Sequence, residues 1–364
     1  MRSRRGKMRW GGGHSRRIQF THTYEDIIST ENLLAAWREF LRGKRKKQDV
    51  QEFQYKLMDN ILTLHRELVA GTYKHGGYKH FRISDPKPRD IHKATVRDRL
   101  LHHALYRQLY PFFDRTFIAD SYSCRKAKGT HKAMNRFRSF AAKVSKNHTR
   151  TCWVLKCDIR KFFASIDHQK LFDILATYIS NERIAALLVE VVGSFCSCCS
   201  NDSRTYLKKT AVQDKYVHRG LPLGNLTSQL LVNVYMNEFD QFVKHKLKAK
   251  YYIRYADDFV FLSPSRRRLD GVLVSIEHFL RLRLNLNLHP DKVFISTFAS
   301  GVDFLGWVHF PDHLVLRSAT KRRMFRRLSE TKKEEVVDSY LGLLSHGNAW
   351  RLKQQINVDR GRRA

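Results

Sequence analysis

Acidic residues are scarce in this chain. Asp and Glu number 34 against 68 Lys and Arg in 364 residues, a formal net charge of +34. A solvated surface normally mixes signs, and an excess of this size is the electrostatic footprint of a polyanionic partner. The basic residues are spread along the chain rather than gathered on one amphipathic helix, which favours nucleic acid over an acidic membrane surface. Long apolar runs are missing too. No stretch of about 18 apolar residues exists, so no membrane span is expected. No apolar run follows Met1-Arg2-Ser3-Arg4-Arg5-Gly6-Lys7, so no signal peptide is expected. Six cysteines are present, but Cys196-Ser197-Cys198-Cys199 lacks the paired or histidine spacing of a zinc site. Cys157 falls in an apolar run, where thiols are usual. This usage fits a reducing cytoplasm. With 42% hydrophobic residues, the chain can bury a core as one large domain or a few subdomains.

What is present centres on Tyr255-Ala256-Asp257-Asp258. Apolar and aromatic residues flank the two carboxylates, from Tyr251 to Arg254 and from Phe259 to Leu262. Both flanks have strand composition, and the acidic pair falls where a hairpin turns. Turn chemistry alone explains many such Asp residues. A third carboxylate, Asp158, ends the buried-strand pattern Thr151 to Ile159. An ionised Asp there is expensive unless paired or bound to metal. Hard oxygen ligands with room for phosphates suit Mg2+. Two such ions, roughly 3.5–4 Å apart, clamp the attacking and leaving oxygens of a phosphoryl displacement.

Tyr-Ala-Asp-Asp after an upstream strand Asp resembles the palm of a reverse transcriptase, and most of the chain shares the resemblance. Arg89-Asp90-Ile91 through Arg99 resembles the fingers, and Ser121 to Arg125 with Gly129-Thr130-His131 the next block. Gly220 to Gln229 resembles the template-side block, and Gly301 to Trp307 the primer grip. The fold implied is α+β: a right-hand polymerase with fingers, a palm of antiparallel sheet backed by helices, and a short helical thumb. The expected limits are a flexible basic arm over 1–18, N-terminal helices and fingers over 19–150, palm over 151–310 and thumb over 311–364. Residues 181–219 are weakly patterned and read as a variable excursion. No room is expected for an RNase H or large maturase domain.

The resemblance also implies roles. Asp158, Asp257 and Asp258 are the catalytic carboxylates and hold two Mg2+, with Ile159 in the metal set and Mn2+ able to substitute. Arg89 meets the incoming triphosphate, assisted by Lys87 or Arg97, because Arg presents a planar fork to phosphate oxygens; an Arg in a surface ion pair is the plainer alternative. Phe163, five residues after Asp158, sits under the sugar and excludes a 2′-hydroxyl. Leu223, Gly224 and Gln229 line the nucleotide site, and Lys292 lies near the triphosphate. Arg125, Lys126, Lys128, Gly129, Thr130 and His131 grip template, and Gly306 and Trp307 the primer. Contacts of this kind carry affinity rather than sequence information.

Many reverse transcriptases have Gln where Leu223 stands, and end this block in Ser-Pro rather than Ser228-Gln229. The departure resembles the enzymes of diversity-generating retroelements, which copy a template RNA with errors concentrated at adenines. That resemblance adds template RNA, a primer or cDNA strand, dNTPs and a small basic accessory protein as partners, in a bacterial, archaeal or phage-encoded setting. The rivals are a group II intron-like or retron-type enzyme of ordinary fidelity and a catalytically inactive RNA-binding protein. The Val-Thr-Gly triplet expected of a retron enzyme is absent. Intact Asp158, Asp257 and Asp258 argue against the inactive protein, since carboxylates lining an RNA groove repel RNA unless cations sit between.

Among local elements, a helix is expected after Ser29-Thr30, a second from Val50 to Leu68, and a strand pair 78–83 and 89–92 joined by Asp85-Pro86-Lys87-Pro88. Asp167 is expected to cap one helix, and Thr227 or Ser228 another.

Overall fold

A computed structural model describes residues 18–84, 88–197, 218–331 and 333–361. The basic arm apart from Ile18, Lys87 and the Cys198-Cys199 pair lie outside these described residues.

The N-terminal part is helical: α1 (Tyr24–Ile28), α2 (Thr30–Phe40), α3 (Gln48–Tyr55) and α4 (Leu57–Val69). The Ser29 side chain accepts from the Asn32 N–H and caps α2. The single helix expected over 50–68 is broken at Lys56, whose φ of −114° and ψ of 42° are not helical. Asn60 Nδ2 donates to the Phe53 carbonyl at 2.9 Å, giving a partner to a group left over at the end of α3. The hairpin β1 (Tyr78–Ile83) and β2 (Arg89–Ala94) then leads into the long α5 (Val96–Asp114), capped by Thr95. After it come α6 (Thr130–Val144), β3 (Trp153–Asp158), α7 (Phe162–Ser165) and α8 (His168–Ala176), the last capped by Asp167 as expected.

Residues 181–219 read as weakly patterned, and for the first part of the segment the structure corrects this. Glu182–Gly193 is a regular helix, α9, capped by Asn181. Ile184, Leu187, Leu188, Val191 and Val192 bury one side of it in the main core. Two runs of consecutive apolar residues hid a periodicity that still supplies a buried stripe.

Helix α10 (Leu226–Gln241) is nearly surrounded by other elements, and twelve of its residues are buried. Its cap is not Thr227 or Ser228. Both lie inside the first turn and are buried, and the helix starts after Asn225. Then come β4 (Tyr252–Tyr255), β5 (Asp258–Ser263), α11 (Arg266–Leu284) and β6 (Phe294–Thr297). The chain ends in a small meander, β7 (Val302–Phe304), β8 (Trp307–His309) and β9 (Leu314–Leu316), followed by α12 (Ser318–Glu330), α13 (Glu334–Leu344) and α14 (Trp350–Gly361).

The central sheet has the order β4-β5-β3-β6, antiparallel throughout. Its pleat sorts side chains onto two faces. Leu155, Cys157, Tyr252, Phe259 and Phe261 pack into the core that also holds α10 and α11. Val154, Ile253, Val260 and Leu262 face the other way, where Phe137, Phe140, Ala141 and Val144 of α6 cover them. Lys156, Asp158, Tyr255 and Asp258 share that second face by alternation. This α+β arrangement is the expected class. Among the described residues no helix is long and apolar enough to cross a membrane.

Candidate active site

The antiparallel register of β3 and β5 sets Asp158 directly opposite Asp258. Asp257 lies in the two-residue turn Ala256-Asp257 that closes on the Tyr255–Asp258 pair. Ala256 has φ 57°, a left-handed backbone that costs an L residue about 1–2 kcal/mol. Hydrogen bonds hold both turn carbonyls. Arg254 Nη1 donates to the Ala256 carbonyl at 3.1 Å, and the Ile159 N–H donates to the Asp257 carbonyl at 3.2 Å. The His289 N–H fixes the Asp158 carbonyl at 2.7 Å.

Lysines answer two of the three carboxylates. Lys292 Nζ is 2.9 Å from Asp158 Oδ1. Lys156 Nζ is 3.6 Å from Asp258 Oδ2 and donates to the Asp303 carbonyl at 2.6 Å. Burial raises the Asp257 carboxyl above its usual range and Asp158 adds to this, while Lys292 and Arg89 pull it back. Burial pushes Asp258 up to about 7, opposed by Lys156 and reinforced by Asp257, Asp158 and Asp303.

Among the described residues no group of three or more His, Cys, Asp or Glu is gathered tightly enough to hold an ion. Like charges placed opposite each other in a sheet repel, and each strand Asp is engaged by its own lysine instead. The donor set still fits a hard cation. It is all oxygen, and Asp258 Oδ1 is buried without a hydrogen-bond partner, a condition that costs free energy until a proton or cation meets it.

Around the triad the expected residues divide. Arg89, exposed on β2, makes no side-chain hydrogen bond or ion pair with another described residue, yet it is near enough to act on Asp257. Leu223 and Gly224 dock on the same strand: the His92 N–H donates to the Leu223 carbonyl at 3.1 Å, and Asn225 Nδ2 donates to the His92 carbonyl at 3.3 Å. Gly224 has φ 108°, and a Cβ there would meet Ile91 Cγ2 at 3.1 Å, so the loop approaches β2 as closely as glycine allows. Phe162 is buried while Phe163 stays half-exposed, and its carbonyl accepts from the Leu221 N–H at 2.8 Å. Gln229 is half-buried in the first turns of α10. Arg97 does not join this group. It pairs with Glu67, donates to the Lys74 carbonyl at 3.1 Å and lies over the Tyr73 ring.

The template and primer set divides as well. The Arg125 side chain is 6% exposed, and its guanidinium is spent on Asp114 Oδ1 and the carbonyls of Ile118, Ser121 and Asp114. It builds the block rather than reaching out of it. Lys128 Nζ donates to the Ala119 carbonyl at 2.7 Å. Lys126 is exposed, with its ammonium over the Tyr110 ring. Gly129 precedes α6 as its N-cap. Thr130 Oγ1 donates to the Tyr255 hydroxyl at 3.2 Å, and His131 stacks on His346. Gly306 makes the tight turn between β7 and β8 with Leu305. Trp307 is 2% exposed. It packs with Met324, Leu328 and Leu344 of the last helices, and a Cβ on Gly347 would fall 2.2 Å from its ring. It is therefore an anchor for those helices, not a stacking platform for primer.

Sequence reasoning missed the group beneath the turn. Arg254 and Asp240 have fully buried side chains joined at 2.7 Å, and removing one partner of such a pair typically costs about 3–5 kcal/mol. The signal was an Arg inside an aromatic strand and an Asp inside an apolar helix, each of which demands a partner.

Residues 79–309 match the family described as reverse transcriptase (RNA-dependent DNA polymerase). The chain belongs to this family. It is an RNA-directed DNA polymerase, which implies a template RNA and nucleotide substrates. The reverse transcriptase is similar to Protein YkfC of Escherichia coli K12, 23% identical over 316 residues that cover 78% of each chain. It is 21% identical to the group II intron-encoded protein LtrA of Lactococcus lactis, over 73% of this chain and 51% of that one. It is 19% identical to a putative COX1/OXI3 intron 2 protein of Saccharomyces cerevisiae, over 64% of this chain and 30% of that one. The chain thus spans about half the length of LtrA and less of the yeast protein.

Proposed function

We propose that this reverse transcriptase serves a diversity-generating retroelement and copies its template RNA with errors concentrated at adenines. The observation that carries the reading is Leu223 in the run Leu-Gly-Asn-Leu-Thr-Ser-Gln, docked through its carbonyl on the strand that bears Arg89. A side chain there with no hydrogen-bonding group cannot help hold the incoming nucleotide in register. Asp158, Asp257 and Asp258, with Ile159 alongside, would hold two Mg2+ or Mn2+. When bound, these ions supply charge stabilisation to both oxygens of the phosphoryl displacement. Arg89 neutralises the triphosphate, joined by Lys292, which leaves Asp158 for it, and by Lys87. The Phe163 ring excludes ribonucleotides by bulk. Exposed Lys126 and the basic last helices hold template and primer phosphates, and a small basic accessory protein completes the assembly.

The second reading is a group II intron-like enzyme of ordinary fidelity, favoured by the likeness to LtrA. Primer extension on a mixed-sequence RNA, followed by sequencing of the cDNA, separates the two. Frequent misincorporation opposite template adenine with few errors opposite C, G and U is expected. Low and evenly spread errors would leave the second reading standing.

A further inference from the structure

Five N–H groups of one buried guanidinium account for the geometry beneath the catalytic turn. Arg254 Nε donates to Asp240 Oδ1 at 2.9 Å, with Oδ2 at 3.1 Å, and Nη2 donates to Asp240 Oδ2 at 2.7 Å. The second Nη2 proton goes to Ser121 Oγ at 3.1 Å. The two Nη1 protons go to Asn233 Oδ1 at 3.2 Å and the Ala256 carbonyl at 3.1 Å. Every donor of the fork is matched to an acceptor. The acceptors come from three places: Asn233 and Asp240 from α10, Ser121 from the block before α6, and Ala256 from the turn itself.

The anchor is itself held. Tyr252 donates its hydroxyl to Asp240 Oδ1 at 2.7 Å. Asn233 Nδ2 donates to the Ser123 carbonyl at 2.9 Å. The Arg254 main chain bonds on both sides to the 120–122 segment, its N–H to the Asp120 carbonyl and its carbonyl to the Tyr122 N–H, each at 3.0 Å. The Ala256 carbonyl belongs to the left-handed residue of the turn. A residue with a Cβ stays in that conformation only when its surroundings over-determine it. Its peptide plane sets the direction in which Asp257 leaves the turn.

We propose that Arg254 is a positioning residue for the polymerase reaction, aiming Asp257 and Asp258 at Asp158 by holding the Ala256 carbonyl against the rigid Asp240–Asn233–Ser121 cradle. The inference rests on the reading of these three carboxylates as the catalytic set. It also explains why the fork must be an arginine. A lysine keeps the charge against Asp240 but brings three donors in place of five, and the cradle leaves none for Ala256.

The test is Arg254→Lys, assayed for primer extension at saturating template across a Mg2+ series, with melting temperature and RNA affinity measured alongside. Misplacing a catalytic group by about 1 Å is enough for a loss on the order of 100-fold. A fall in kcat of about 10- to 100-fold is expected, with KM for dNTP and RNA affinity little changed and several-fold more Mg2+ needed for half-maximal rate. A merely structural role would move the melting temperature and leave the Mg2+ dependence of the folded fraction alone. If Arg254→Lys does not fold, the double variant Arg254→Met/Asp240→Leu carries the same test, because it removes both charges together and leaves no buried ion unpaired. A folded variant with kcat and Mg2+ dependence like the parent overturns the proposal. Asp257→Asn in the same assay keeps the two ideas apart. If it stays active, the carboxylate reading itself fails. If it is dead while Arg254→Lys is normal, only the positioning role fails.

Discussion

Asp158 and Asp258 face each other across the β3–β5 ladder, two carboxylates in direct register with a lysine answering each from a different side. Such a pair works against folding as long as both are charged. Raising the Asp258 carboxyl from 3.8 to about 7 means that the folded protein binds a proton more tightly there than the unfolded chain does. The stability this contributes is complete below about pH 4 and is lost as pH rises through about 7. In Mg2+-free buffer Asp258→Asn, neutral at every pH, should melt higher than the parent at pH 8. The difference should disappear by pH 4. Melting curves at the two pH values decide it, and equal shifts at both would remove Asp258 as the cause.

Asp257→Asn removes a carboxylate charge from the turn without touching a phosphate contact. It should abolish dNTP incorporation and leave RNA affinity near that of the parent. Near-normal incorporation would sink the assignment of the triad to metal-assisted catalysis.

Phe163→Val should raise incorporation of ribonucleotides relative to deoxynucleotides, since the role proposed for the ring is exclusion by bulk rather than a hydrogen bond. Competition between dNTP and rNTP in single-nucleotide extension reads this directly. An unchanged ratio would put the sugar gate elsewhere.

Leu223→Gln restores a side chain able to hydrogen-bond the nucleotide. A hydrogen bond of about 0.5–1.5 kcal/mol spent wholly on discrimination is worth roughly 2- to 13-fold in fidelity. The adenine error frequency in sequenced cDNA should drop by no more than this factor. No drop would detach fidelity from this position.

Arg125→Ala and Lys126→Ala should separate, although the two residues adjoin. Loss of Arg125 strips Asp114 of its ion pair and takes the guanidinium donors from the Ser121 and Asp114 carbonyls, at about 1–3 kcal/mol for each group left without a partner, so the melting temperature should fall. Loss of exposed Lys126 should spare stability and flatten the salt dependence of RNA affinity, because one fewer counterion is released on binding. The reverse pattern would restore Arg125 as a phosphate contact.

The strand of Asp158 and the hairpin of Asp257 and Asp258 were legible in the sequence because their signals are local. Acidic residues between apolar strand segments mark a turn and a strand end wherever the chain goes. The cap at Asp167 follows from a bond made within a few residues of the same helix start. So did the basic excess, since net charge depends on composition alone. What depends on distant partners was not legible. Arg89, Arg97 and Arg125 look alike as basic residues in basic segments. Only the folded chain sets Glu67 and Tyr73 against Arg97 and Asp114 against Arg125, and leaves Arg89 near Asp257. Trp307 read as a primer contact until α12 and α13 covered it. Arg254 stood three residues from Asp257 in plain view, yet its role depends on Asp240, fourteen residues back, and Ser121, 133 back. A guanidinium has five donors wherever it stands, and which acceptors fill them is decided by the packing of α10 and the segment before α6 beneath the sheet.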